Sequence, residues 1–202
     1  MYKFHDPKLA ELAEIAEEAR ATAYAGGWVQ LLNWANPNQS AAVTAKSTYT
    51  TIADICNPQT NFIPANSLQT GSQLHFHAWG SYGSAAGTAT TTMGLYLNGA
   101  ASGTQLVISA SATPPTSTVN LWVLDVYATV LTVGSAGTIQ PGGYILGLGA
   151  TTTTPILLPA TLPAATTINT TQANSVTIAA SWNTSAAGNT YSVYGYDVEL
   201  FN

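Results

Sequence analysis

Eight of this chain's thirteen Asp, Glu, Lys and Arg residues fall in its first twenty positions: Lys3, Asp6, Lys8, Glu11, Glu14, Glu17, Glu18 and Arg20. The 182 residues that follow hold five, namely Lys46, Asp54, Asp125, Asp197 and Glu199. Soluble domains average about 25% charged residues, so this long stretch must cover its surface with neutral polar groups. Thirty threonines, with Ser, Asn, Gln and Gly, supply the cover. Thr is β-branched and suits a pleated, half-exposed surface. The later part of the chain is therefore expected to be sheet. Low charge also weakens the usual defence of sheet edges against association, so the fold is expected to close on itself or pack against copies. The step in charge predicts two units, residues 1–40 and residues 41–202.

The first unit reads as a helical or extended anchoring arm. Asp6 is a good N-cap and Pro7 fits the first helical position. Leu9, Leu12, Ala16, Ala19 and Ala23 recur at helical spacing, and Gly26-Gly27 stops the pattern. Trp28 to Trp34 is short and very apolar, readable as a second short helix or as an extended piece. A stripe that is mostly Ala buries little area, at roughly 25 cal/mol per Å². The expected anchors are Leu9, Leu12, Trp28, Leu31, Leu32 and Trp34, large apolar groups that want a greasy partner. Packing on the chain's own β unit is the plainer alternative.

The second unit shows strand patterns broken by turn signals. Ser72 to Trp79 alternates, Thr91 to Leu97 ends at the turn pair Asn98-Gly99, and Gln105 to Ser109 follows. In Leu121 to Val133, Trp122, Leu124, Val126, Ala128 and Val130 share one face, with Val123, Asp125, Tyr127 and Thr129 on the other. Thr138 to Gln140 and Tyr144 to Leu148 flank Pro141-Gly142-Gly143. Ser175 to Trp182 and Tyr191 to Phe201 complete the series. With Thr44 to Cys56, about eight to ten strands and no intervening helix predict a mainly β chain, a jelly-roll-like antiparallel β-sandwich. No fixed-period repeat argues for a solenoid or propeller.

Several functions are disfavoured. A net charge of −5 and four Lys and Arg leave no basic stripe for nucleic acid. Cys56 is the only cysteine, so no intrachain disulfide is expected. No run of about 18 apolar residues predicts a spanning helix, and Met1 to Pro7 lacks signal-peptide character; synthesis in a cytoplasm is expected. There is no Gly-x-Ser-x-Gly, His-Glu-x-x-His or phosphate loop, and the β unit's few carboxylates lack flanking active-site features, although Asp197 and Glu199 can share a strand face. The chain is not expected to be an enzyme, and no cofactor is expected. His75-x-His77 places two imidazoles on one strand face, the start of a metal site or of a ring about a symmetry axis. No third ligand is near in sequence, so a plain surface or interface pair is expected. Asn38, Asn169 and Asn183 match the glycosylation pattern, which chance explains in a chain this rich in Asn and Thr. Trp79, Trp122 and Trp182 are expected in the core, with Tyr82 a candidate for outward display.

Three segments resemble tailed-bacteriophage virion surface proteins. They are Phe62-Ile63-Pro64-Ala65-Asn66-Ser67-Leu68-Gln69-Thr70-Gly71 with the strand to Gly80, Thr90 to Gly99, and Ala179 to Thr190 running on to Val198-Glu199. Together they cover much of residues 61–202; residues 1–40 lie outside them. The resemblance implies a structural protein of the head-decoration or head-fibre type, bound to the major capsid protein on the capsid exterior and stabilising it. It carries no catalytic residue. A tail-associated receptor- or glycan-binding module is the alternative. Sparse charge and three-fold capsid sites lead to the expectation of a homotrimer.

Overall fold

The computed structural model describes residues 29–35, 53–56, 62–84, 89–99, 103–114, 120–149, 154–159, 164–184 and 188–201. Among these, every regular element is a strand: β1 (Val29–Ala35), β2 (Ala53–Cys56), β3 (Phe62–Ile63), β4 (Gln73–Gly83), β5 (Thr91–Leu97), β6 (Thr104–Ile108), β7 (Asn120–Thr132), β8 (Gly137–Leu146), β9 (Ile156–Leu158), β10 (Thr166–Ile168), β11 (Asn174–Trp182) and β12 (Thr190–Phe201). A larger sheet runs β1-β12-β4-β7-β8-β10, with β9 also on β8. A smaller one runs β2-β11-β5-β6, with β3 on β11. All pairings are antiparallel. The chain is mainly β, as its Thr-rich, charge-poor composition predicts. The expected helix near Asp6 to Gly26, with Leu9, Leu12 and Trp28, lies outside the described residues.

Alternation decides the faces. On β7, Trp122, Leu124, Val126, Ala128 and Val130 are all buried, while Leu121, Val123, Asp125, Tyr127 and Thr129 point the other way. On β4, Leu74, Phe76 and Ala78 are buried between outward Gln73, His75, His77 and Trp79. The inner faces of both sheets share one apolar cluster, which gives a sandwich-like body. At roughly 1.5–3 kcal/mol for each large side chain fully buried, this cluster is the main stabilising term. One end of the core is aromatic: Tyr82, Trp182 and Tyr191 sit with ring centroids 5.3–6.3 Å apart. Both phenols find partners, whereas the Trp182 indole nitrogen is buried with none among the described residues. The Tyr82 hydroxyl donates to the Gly147 carbonyl at 2.7 Å, the Trp122 indole N–H to the Ser81 carbonyl at 3.2 Å, and Tyr191 bonds the Thr91 hydroxyl.

Two aromatic expectations are corrected. Tyr82 is not displayed; it lies in the core, because β4 continues through it to Gly83. Trp79 is not in the core. It is 38% exposed, since the parity that turns His75 and His77 outward turns Trp79 outward too. The two short strands expected either side of Pro141-Gly142-Gly143 are one strand, β8. Its outer edge pairs β10 through Ile139 and β9 from Gly143. Pro141 falls in the gap between these pairings, where a missing N–H costs least.

The turn ahead of β4 follows its residues. Asn66 and Gly71 both take positive φ, Gly71 N–H donates to the Val130 carbonyl at 2.8 Å, and Leu68, Leu74 and Phe76 are buried. Asn98 and Gly99 are also both left-handed, as this turn pair favours. The Trp28–Trp34 segment is extended over Val29–Ala35. It lies in the larger sheet as β1, paired with β12, so that sheet joins residues on both sides of position 40.

Candidate functional site

The outer face of the larger sheet gathers most of the β unit's ionisable groups. Register builds it in rows across β7, β4 and β12. Tyr127, His75 and Glu199 form one row; Asp125, His77 and Asp197 the next; Val123, Trp79 and Gly195 the third. A fourth brings Leu121 beside Ser81, whose hydroxyl bonds that of Tyr194 at 2.7 Å. On β8, Tyr144 is the partner of Asp125. On β1, Leu31 is the backbone partner of Glu199 and Trp34 of Asp197, so two of the expected anchors border the site in register.

The two histidines are held by carboxylates from different strands. His75 Nδ1 is 3.0 Å from Glu199 Oε2, and His77 Nδ1 is 3.4 Å from Asp125 Oδ2. His75 Nε2 lies 3.4 Å from Asp125 Oδ1. That distance suits an ion pair, but neither atom is aligned in a hydrogen bond, and both are shut off from solvent. Tyr127 stacks on His75 at 4.4 Å between ring centroids and 8° between planes; His77 leans on Trp79 at 5.6 Å. Trp79 in turn lies over Gly195, where any Cβ would meet its ring.

The electrostatics follow from this crowding. Burial holds the Asp197 carboxyl above its ordinary value; His77 and His75 pull it down, and Glu199 and Asp125 push it up. The Tyr127 phenol is raised, by desolvation first and then by Asp125, Tyr144 and Glu199. His75, His77 and Asp125 each offer a ligand atom within 4.8 Å of the others, a set able to hold a metal ion.

Exposed apolar groups share this face. Leu121 is 67% exposed, Tyr127 51% and Tyr194 49%, and Trp79 joins them. Tyr191 and Tyr196, on the same strand as Tyr194, are buried. The sequence shows His75 and His77 as an outward pair and places Asp125 opposite the core face of its strand. It does not show that β4, β7 and β12 are neighbours, and that adjacency makes the cluster. No described helix is long and apolar enough to cross a membrane. Comparison with family models, curated proteins and solved structures finds no match for this chain.

Proposed function

We propose that the chain is a structural protein of a tailed-bacteriophage virion: a head-decoration protein that binds the major capsid protein on the capsid exterior and stabilises the shell, acting as a homotrimer and not as an enzyme. The observation that carries this reading is the outer face of the larger sheet. A charge-poor fold that leaves Leu121, Tyr127, Tyr194 and Trp79 together on one face has the makings of a protein-docking surface, where aromatic anchors dominate binding.

The strand order supports a jelly-roll-like reading. With β3 and β8 to β10 set aside as additions, the eight remaining strands are ordered first, eighth, third, sixth in one sheet and second, seventh, fourth, fifth in the other. This order is the one expected of the double Greek key of jelly rolls, an architecture of viral capsid and lectin domains, and it supports that reading. Fold alone does not choose between those uses. On this reading the segment before Val29 is the helical arm, with Leu9, Leu12 and Trp28 docking on the capsid lattice and Leu31, Leu32 and Trp34 continuing the anchor along the sheet edge.

One observation favours a second reading, a tail-associated receptor- or glycan-binding module: exposed Trp79 and Tyr127 flank the carboxylates of Asp125 and Glu199, a pairing that suits stacking and hydrogen bonding to a sugar. Copy number separates the two. Quantitative mass spectrometry of purified particles should find hundreds of copies per virion. A few to tens would move the protein to the tail, and none would remove it from the virion.

A further inference from the structure

We propose that His75, His77 and Asp125 bind one divalent transition-metal ion, Zn²⁺ or a similar first-row ion, on the outer face of the larger sheet, with Glu199 as the positioning carboxylate behind His75. Glu199 sets the tautomer of His75. Glu199 Oε2, 3.0 Å from His75 Nδ1, can only accept, so the Nδ1 proton is fixed there. In the neutral ring the Nε2 lone pair is then free, and it faces Asp125 Oδ1 at 3.4 Å. Both atoms are buried from solvent without a hydrogen-bond partner among the described residues. Two acceptors turned toward each other in a dry spot repel; a cation between them turns the repulsion into two bonds.

The spacing suits such an ion. Zn–N of about 2.0–2.1 Å and Zn–O of about 2.0–2.2 Å at tetrahedral angles put neighbouring ligand atoms roughly 3.4 Å apart. A carboxylate on the far ring nitrogen is the usual support of a metal-bound histidine, fixing its tautomer and orientation. Tyr127, stacked on the His75 ring, restrains its tilt. The third ligand comes from His77, one pleat along the same strand and 33% exposed, so the remaining coordination position opens to the outer face. Two imidazoles and one carboxylate favour zinc and its first-row neighbours over Ca²⁺ or Mg²⁺, which prefer all-oxygen shells. The ion would tie β4 to β7 directly and to β12 through Glu199, and its open position would accept water or a donor from a docked partner. The competing occupant of the 3.4 Å gap between Nε2 and Oδ1 is a proton, held as an ion pair without a metal.

The test is titration of the full-length, chelator-stripped chain with Co²⁺ followed by Zn²⁺. Visible d–d bands that saturate at one equivalent and vanish on Zn²⁺ addition are expected. His75→Gln, His77→Gln and Asp125→Asn should each abolish the bands, and Glu199→Gln should weaken Zn²⁺ binding about 10- to 100-fold, with circular dichroism confirming that each variant is folded. The only other imidazole in the sequence is His5 and the only thiol is Cys56. A thiolate charge-transfer band would therefore assign binding to Cys56 and overturn the proposal. So would no bands and no Zn²⁺ uptake by the parent chain, a reading that needs no variant, or undiminished affinity in a folded Asp125→Asn chain.

Discussion

Trp79 and Gly195 show how much a single glycine means depends on what stands over it. The three atoms nearest a Cβ at Gly195 all belong to the Trp79 ring, on an exposed face where the ring can swing away. Gly195→Ala should therefore cost less than about 1 kcal/mol and red-shift the fluorescence of Trp79. A Cβ at Gly80 meets the Ser192 backbone carbonyl and the buried Trp122 ring; neither can move cheaply, and Gly80→Ala should cost several-fold more in a denaturant melt. A second prediction concerns pH. Burial pushes the Tyr82 hydroxyl up to about 12, and Tyr191 is raised too, by burial first, with Thr91 opposing and Tyr82 adding. A phenol raised above its unfolded value of about 10 contributes stability that is present below that value and is lost as pH rises through the folded one. Stability should hold to about pH 10 and fall between about 10 and 12, with the phenolate absorbance of Tyr82 and Tyr191 appearing together with unfolding. Tyr82→Phe should flatten that fall while costing about 1 kcal/mol at neutral pH through the unpaired Gly147 carbonyl. The parity that assigns His75 and His77 outward was legible in the sequence and extends to Trp79. The expectation of a core Trp overrode it, because Trp so often fills β cores, and the structure restores the parity.

At the scale of elements, β7 is the strand whose sequence speaks most plainly, and it offers a matched pair of tests. Leu124 is fully buried and Leu121 is exposed on the same strand. Leu124→Ala should cost about 2–5 kcal/mol and Leu121→Ala less than about 0.5 kcal/mol, measured by chemical denaturation. Strands β4 and β7 were legible because each alternates over seven residues or more, and β5, β11 and β12 because turn signals bound their apolar-rich runs. Strand β8 was not, since Pro141-Gly142-Gly143 reads as a break and only knowledge of the gap between β9 and β10 removes it. The site was half legible for a related reason: faces come from local parity, whereas the meeting of His75 with Asp125 and Glu199 depends on pairings 50 and 124 residues apart in sequence. β1 carries a further prediction. It closes the β12 edge with an uncharged, apolar sequence. A chain starting at Ala41 lacks it and bares a long edge, so it should melt lower than a chain starting at Gly27 and associate in light scattering. Equal melting temperatures and equal mass would show that β1 adds nothing to the sheet.

For the molecule as a whole, the governing quantity is the scarcity of charge. With five charged residues after position 20, copies of the β body repel one another weakly, and closed cyclic symmetry lets such surfaces pack without growing into fibres. On the proposed reading, a lattice-binding arm would act with the sandwich-like body and its aromatic outer face as a mechanical device that adds interface area between capsid subunits. The direct test is a symmetry-resolved cryo-electron microscopy reconstruction of the virion. The account predicts this fold in density on the outer shell, three copies about a three-fold site, with residues before Val29 in contact with the major capsid protein. Density for the fold on the tail alone, or monomers or dimers on the shell, would contradict it.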